Sequence, residues 1–191
     1  MQGASRVSLS AIHQRYQKEA EALFPIIARL LSDRLRVGIA LSSIGERELE
    51  LSTIWRNHPQ CRVSLSWKEI IFRHRKRPKR MDVGFYSADI LCGLMIATIS
   101  RTRVNVNLTF LEANPDPGHP LKSNFLLAAT LQAEIFAQLI GASSTSISKP
   151  DRQLIRSYKA LGYQPISGDR SRELKGMRPR YAQLIKRLNA G

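Results

Sequence analysis

Cysteine is nearly missing from this chain of 191 residues: Cys61 and Cys92 are its only two, and neither sits in a CxxC or Cys/His spacing. Neither a disulfide framework nor a zinc site is indicated, and a reducing cytoplasm is the expected compartment. Long apolar runs are missing as well. The first apolar cluster, Leu23 to Leu31, is interrupted by Pro25 and Arg29 and lies well inside the chain, so it reads as neither a secretory leader nor a membrane span. His13, His58 and His74 stand at no ligand spacing with carboxylates or cysteines, so no metal site is expected, and no serine, histidine and acid arrangement suggests a hydrolase. Acids are scarce, 15 against 30 Lys and Arg, which gives a formal net charge of +15. Charge of that size points to an anionic partner, such as nucleic acid or an acidic or RNA-linked acceptor, although a merely basic soluble surface has the same composition.

Hydrophobic residues make up 43% of the chain, and the length fits one globular domain with an ordinary core. Residues 1–66 read as a helical region. Ser10 caps a helix with Ile12, Tyr16, Ala20 and Leu23 at helical spacing, and Pro25 predicts a kink or a second helix start. Ser43-Ile44-Gly45-Glu46 has capping-box spacing ahead of a short helix around Arg47 to Trp55. Ser66-Trp67-Lys68-Glu69 opens another helix, which carries Ile70 and Ile71 inward and stops before Pro78. Its end holds Arg73, His74, Arg75, Lys76, Arg77, Lys79 and Arg80, the densest cationic run in the sequence. A helix dipole favours cations there by ~0.3–1 kcal/mol each, which accounts for roughly two or three of them. Arg73, Arg75, Lys76 and Arg77 are therefore candidates for contact with a polyanion or an anionic acceptor.

The centre of the chain reads as β-rich. Met81 to Tyr86 resembles a strand, and Ile90 to Ile99 and Val104 to Leu111 are β-prone runs joined by the polar turn Ser100-Arg101-Thr102-Arg103, so they should pair antiparallel. After the loop Asn114 to Ser123, the segment Asn124 to Ile140 is apolar on almost every face and predicts a buried helix stopped by Gly141. Thr145-Ser146-Ile147 is a short strand, and Ser148-Lys149-Pro150-Asp151 starts a helix that ends at Leu161 and Gly162. Gln164 to Ile166 is a further short strand, Ser167 to Arg178 a charged loop, and Arg180 to Leu188 a helical pattern. The expectation is one α/β (α+β) domain: a mainly antiparallel twisted sheet flanked by helices, with an extra helical N-terminal region over 1–66, a core over 67–166 and a basic loop and helix over 167–191.

The element order, the acidic strand end Phe110-Leu111-Glu112 and the run Tyr158-Lys159-Ala160-Leu161-Gly162-Tyr163 resemble the GNAT N-acetyltransferase superfamily, over roughly Trp67 to Tyr163. A tyrosine placed before a glycine-aromatic pair is a recurring signature there. The resemblance implies a GNAT-like fold in which the strands of Leu108 and Ile147 run side by side and parallel and then open into a cleft. It implies acetyl-CoA as acyl donor and direct transfer of the acetyl group to an amine acceptor. Phe110 and Leu111 would be the contacts to the thioester end, and His119, Leu121, Lys122, Ser123 and Asn124 would stand in the cofactor loop. That loop in the family usually reads Gln or Arg, two residues, Gly, one residue, then Gly or Ala. Here Lys122 and Asn124 occupy the small-residue positions, and the family's closing pair of strands is not evident either.

Several residues read in two ways. Tyr158 is either the general acid toward the leaving thiolate or an aromatic packing on the sheet. Glu112 is either the base for the acceptor ammonium or a solvated carboxylate. His119, fixed by Pro117, Gly118 and Pro120, is a phosphate contact or a plain turn, while Lys122, Ser123 and the amides opening the next helix can attract pyrophosphate without any glycine motif. Two functions follow: an acetyl-CoA-dependent N-acetyltransferase, or a non-catalytic GNAT-like protein that binds nucleic acid or another polyanion.

Overall fold

The computed structural model describes residues 9–188 apart from Arg62, Ser64, Lys76 and Pro78; of the candidate anion contacts, Lys76 thus lies outside the described residues. In chain order the elements are α1 (Leu9–Leu35), β1 (Ala40–Ser42), α2 (Glu46–Trp55), α3 (Trp67–His74), β2 (Arg80–Ser87), β3 (Ile90–Ile99), β4 (Asn105–Ala113), α4 (Phe125–Leu139), β5 (Ser144–Ser148), α5 (Ile155–Ala160), β6 (Gln164–Pro165), α6 (Ser167–Leu174) and β7 (Gln183–Arg187). The strands form one seven-stranded sheet in the order β1-β2-β3-β4-β5-β7-β6. Every neighbouring pair is antiparallel except β4 and β5.

β3 shows how the two layers of core arise. From Leu94 its side chains alternate between faces: Met95 and Ala97 join one apolar cluster, Leu94 and Ile96 the other, and a register shift opposite Phe85 and Tyr86 returns Cys92 to the first. The first cluster lies under α1, α4 and α5 and contains Phe24, Ile27, Leu31, Phe85, Phe136 and Tyr158. The second lies under α2 and α3, through Trp55, Trp67 and Ile70. α4 is the element the sheet is built on: Ala128, Ala129, Leu131, Ala133, Phe136 and Ala137 are all buried, and Gly141 follows in the left-handed region at φ +74°.

Several expectations are corrected. Pro25 does not start a second helix, because α1 runs through it. Pro25 cannot donate to the Glu21 carbonyl, but both residues are exposed and water can satisfy that group. The stretch Arg180 to Leu188 is not helical. Of its apolar residues only Leu184 is fully buried, and the stretch supplies β7, which gives β5 an antiparallel partner from Ser144↔Arg187 to Ser148↔Gln183. With β6 pairing β7 on the outside, the closing strands are present. The charged loop after Ile166 likewise contains a helix, α6, whose buried Asp169 accepts bonds from the Arg180 amide at 2.7 Å and the Ala182 amide at 3.2 Å, fixing the approach to β7. In α2 the capping position is Gly45, and Glu48 closes the cap by accepting from its amide at 2.8 Å.

Candidate active site

β4 and β5 run parallel from Asn105↔Ser144 to Leu108↔Ile147, and there the pairing stops. β4 continues to Ala113 with β3 on one edge and no strand on the other. The sequence explains where the strands part. On the face away from α4, Asn105 donates to Ser146 Oγ at 2.8 Å, Asn107 donates to Ser148 Oγ at 2.8 Å, and Ser146 donates back to Asn107 Oδ1 at 2.9 Å. These amide and hydroxyl links end at Ser148. Beyond them β4 presents Phe110 and Glu112, which turn to α3 and not to β5, and a register shift between Ile96 and Ala97 marks the same level on the β3 side. The gap so opened is a slot along the edge of β4 from Thr109 to Ala113, which has no strand on that side among the described residues.

Glu112 stands on the α3 side of this slot and is 7% exposed, so it is not the solvated carboxylate that a strand end suggests. The Trp67 indole N–H donates to its Oε2. Burial pushes its pKa up to about 7, against the lowering influence of the Trp67 bond, the Leu65 backbone and the Arg56 charge. A carboxylate so placed is near half-ionised at neutral pH. Phe110, next on the same face, meets the His74 ring edge-on with centroids 5.0 Å apart. Leu111 points to the opposite face and packs against the α4 layer. Trp67 and His74 were not singled out from the sequence as partners of the site. They share one helical stripe of α3, with Ile70 and Ile71 between them, and that spacing was the available signal.

Tyr158 is 4% exposed and lies in the same buried layer as Leu108 and Ile147, the last pair before the strands part. Its ring is edge-on to Tyr163, whose hydroxyl shares a 3.0 Å bond with Thr145. Among the described residues the Tyr158 hydroxyl makes no hydrogen bond, and burial pushes its pKa up to about 12, so it holds its proton throughout the neutral range.

The loop from Asn114 to Asn124 is wound into successive turns. The Asp116 amide donates to Asn114 Oδ1 at 2.9 Å and the Gly118 amide to Asp116 Oδ1 at 2.8 Å. The amides of Lys122 and Asn124 are used internally, donating to the His119 and Leu121 carbonyls at 3.1 and 3.0 Å. Lys122 Nζ reaches across to Gln60 Oε1 at 3.1 Å. Leu121 is fully buried in the α4-side core, so only its backbone faces the loop's outer side. His119 is 4% exposed and neither ring nitrogen has a partner; burial lowers its pKa, which keeps it neutral at pH 7.

These features allow a test of whether coenzyme A fits. The slot beside β4 can take an extended chain, the first-turn amides of α4 at Phe125, Leu126 and Leu127 have no intrahelical acceptor, and the buried His119 in the preceding loop has unpartnered ring nitrogens. The slot and the helix start fit such a ligand. The loop fits less well, because the two amides that would curl around a phosphate already serve its own turns.

A separate hollow of about 260 Å³ lies between α2 and the β2–β3 turn, floored by Leu51, Trp55 and Leu91 and rimmed by His58, Asp89 and Asp116. The basic run flanks His74 at the end of α3 and continues beside the β3–β4 turn. Arg73 is paired with Glu69, Arg75 and Arg77 are exposed, and Lys79 Nζ donates to the Arg101 carbonyl at 2.9 Å in the β3–β4 turn. Among the described residues no group of His, Cys, Asp and Glu could hold a metal ion, and no helix is long and apolar enough to cross a membrane.

The sequence matches no family model and no curated protein. Its fold has counterparts among solved structures. A Bacillus subtilis acetyltransferase in complex with CoA aligns over 79% of this chain and 98% of its own at 16% identity and a TM-score of 0.52. Tetrahymena GCN5 aligns over 77% and 92% at 11% identity and a TM-score of 0.52. A variant of spermidine N-acetyltransferase SpeG from Vibrio cholerae aligns over 78% and 93% at 10% identity and a TM-score of 0.51. At such identities the likeness is one of fold.

Proposed function

We propose that this chain, which has the GNAT N-acetyltransferase fold, transfers an acetyl group from acetyl-CoA directly to an amine. The observation that carries this reading is the parting of β4 and β5 immediately beside a buried carboxylate with a pKa of about 7. Acetyl-CoA, when bound, supplies an activated thioester carbonyl. The chain supplies position and protons. Unpaired β4 amides beyond Leu108 donate to the carbonyl oxygen, an orientation that favours the charge developing there. Phe110 and Leu111 contribute backbone to this edge, and the start of α4 with Ser123, Lys122 and His119 faces the phosphates. Glu112, in its ionised fraction, accepts the proton of the incoming ammonium, directly or through water. The free amine then would form the C–N bond as the C–S bond breaks, Tyr158, protonated across the neutral range, would give its proton to the departing sulfur, and the proton lost from the new amide nitrogen would return through water to the phenol.

One observation favours a second reading. Because the Lys122 and Asn124 amides are already spent within the loop, a non-catalytic GNAT-fold protein that has no use for the cofactor fits the same structure. Calorimetric titration with acetyl-CoA separates the two. Saturable heat with micromolar affinity supports the transferase; absence of heat at near-millimolar ligand overturns it in favour of the second reading.

A further inference from the structure

We propose that the surface at the end of α3 and the adjoining β3–β4 turn binds single-stranded polynucleotide, with Phe72 as the platform on which a base stacks. Phe72 is 62% exposed, on the side of α3 turned away from the sheet. It is not a bare apolar ring: the Arg75 guanidinium carbon lies 3.6 Å from its centroid, and Arg75 is held there by donating to the Phe72 carbonyl at 3.1 Å. A ring with a guanidinium on one face and high exposure presents its other face to solvent. That arrangement suits a base, because stacking and cation–π attraction then act on the same ring.

Further cations stand beside the ring along the chain and in the neighbouring turn. Arg73 and Arg77 flank it along the chain, and the bond from Lys79 to the Arg101 carbonyl ties this segment to the turn that carries Arg101 and Arg103, all of them exposed except the half-buried Lys79. Tyr16 on α1 lies beneath both branches, with Lys79 Nζ 5.6 Å and the Arg103 guanidinium 5.2 Å from its ring centre. Acids neutralise little of this charge: Glu69 bonds Arg73, and Glu19 is shared between Arg15 and Arg103. A double helix keeps its bases stacked internally and gives Phe72 nothing to cover, and a polyanion without bases leaves the ring unused. A single strand uses both the charge and the ring. The inference does not depend on acetyl transfer, since the turn lies at the start of β4 and the slot beyond its middle.

The test measures binding by fluorescence anisotropy with the full chain and three probes: a short labelled oligouridylate, a labelled RNA duplex and labelled heparin. Phe72→Ala should weaken the oligouridylate about tenfold and Phe72→Trp should restore it, while heparin binding is unchanged in both variants. Replacing Arg73, Arg77 and Arg101 with Gln should flatten the oligouridylate salt dependence by about two units of log–log slope. Thermal melting of each variant checks that the fold is intact; with Phe72 this exposed, Phe72→Trp is folded in any case. The proposal is overturned if oligouridylate does not bind at low salt, if Phe72→Ala weakens heparin as much as oligouridylate, or if the duplex binds as tightly as the single strand and Phe72 substitutions change neither.

Discussion

The two ends of the central sheet are built to opposite specifications. Where β3 begins and β4 ends, charge is withdrawn: Glu112 is buried against Trp67, His119 is buried without partners, and Tyr158 lies in the core behind the slot. Where β3 ends and β4 begins, charge is displayed, on Arg73, Arg75, Arg77, Arg101 and Arg103. Leu94, opposite Glu112, and Ile99, whose amide donates to the Lys79 carbonyl, are five residues apart on β3, roughly 17 Å at strand rise. Chemistry that needs a carboxylate poised near neutrality belongs at the dry end. Attraction of a large anion belongs at the wet one, where cations remain hydrated and cost little to maintain.

The sharpest contrast is in tolerance to volume. A carbon added to Gly93 would lie 2.1 Å from the Phe125 ring and 2.8 Å from the Glu112 carbonyl oxygen, so the absence of a side chain there lets the first residue of α4 close over β3. Gly93→Leu should cost about 3 kcal/mol or more, read as a lower urea midpoint. Arg101→Leu, in the exposed turn at the other end, should stay within about 0.5 kcal/mol of the parent. Equal midpoints for the two variants would mean that Phe125 is not locked against β3 and that the ends do not differ in packing.

Glu112→Gln tests the dry end's chemistry. Loss of a general base should lower kcat about 10²–10³-fold and remove a rise in rate with an apparent pKa near 7. Stability gives a second readout that needs no substrate. Burial holds the folded pKa at about 7 against an ordinary value of 4.5, so between those values the folded chain keeps a proton that the unfolded chain releases. The contribution of this group to stability is therefore greatest below that window and declines as pH rises through it. Glu112→Gln should gain on the parent between pH 5 and 8 in denaturant titrations, about pH values chosen to bracket the window. A constant difference across that range would place Glu112 in water and remove it as a base.

How much of this was legible from the sequence depended on whether the signal was local. The buried helix after the loop, its glycine stop and the Ser100–Arg103 turn are written in neighbouring residues and are found where expected. The strand β7 was not, because Tyr181, Leu184, Ile185 and Leu188 sit at helical spacing and only the vacant edge of β5 decides otherwise. Glu112 could be located but not its burial, since Trp67, the residue that covers it, is 45 positions away in the chain. The cationic run was conspicuous by composition, yet Phe72, the residue that gives it a shape, reads in sequence as one more apolar position on α3. The Asn105, Asn107, Ser146 and Ser148 links that set where the strands part are individually unremarkable polar residues, and acquire meaning only once β4 and β5 are side by side.

Tyr158→Phe should have a smaller effect than Glu112→Gln, about tenfold in kcat, because a thiolate with a reference thiol pKa of about 8.5 leaves tolerably without a proton donor. The loss should shrink further with acyl donors whose thiols are more acidic. A loss that is independent of the thiol would make Tyr158 a packing residue for the wall of the slot, which its burial beside Tyr163 also suits.

The smallest expected effect is the one that tests the separation itself. Replacing Arg75, Lys76 and Arg77 with Ala removes three positive charges from the basic run. At an ionic strength of ~0.15 M the Debye length is ~8 Å, and Arg75 and Arg77 are exposed to solvent, so their field at the slot is largely screened and acetyl-CoA affinity should change by less than about twofold. Diluting the salt to ~0.01 M lengthens the Debye length to ~30 Å, and a modest weakening should then emerge without any change of contact. That salt signature distinguishes a distant field from a direct bond. If the triple variant loses acetyl-CoA affinity about tenfold at the higher salt, a difference of ~1.4 kcal/mol and more than a screened field supplies, then these cations touch the cofactor and the two ends of the sheet serve one site.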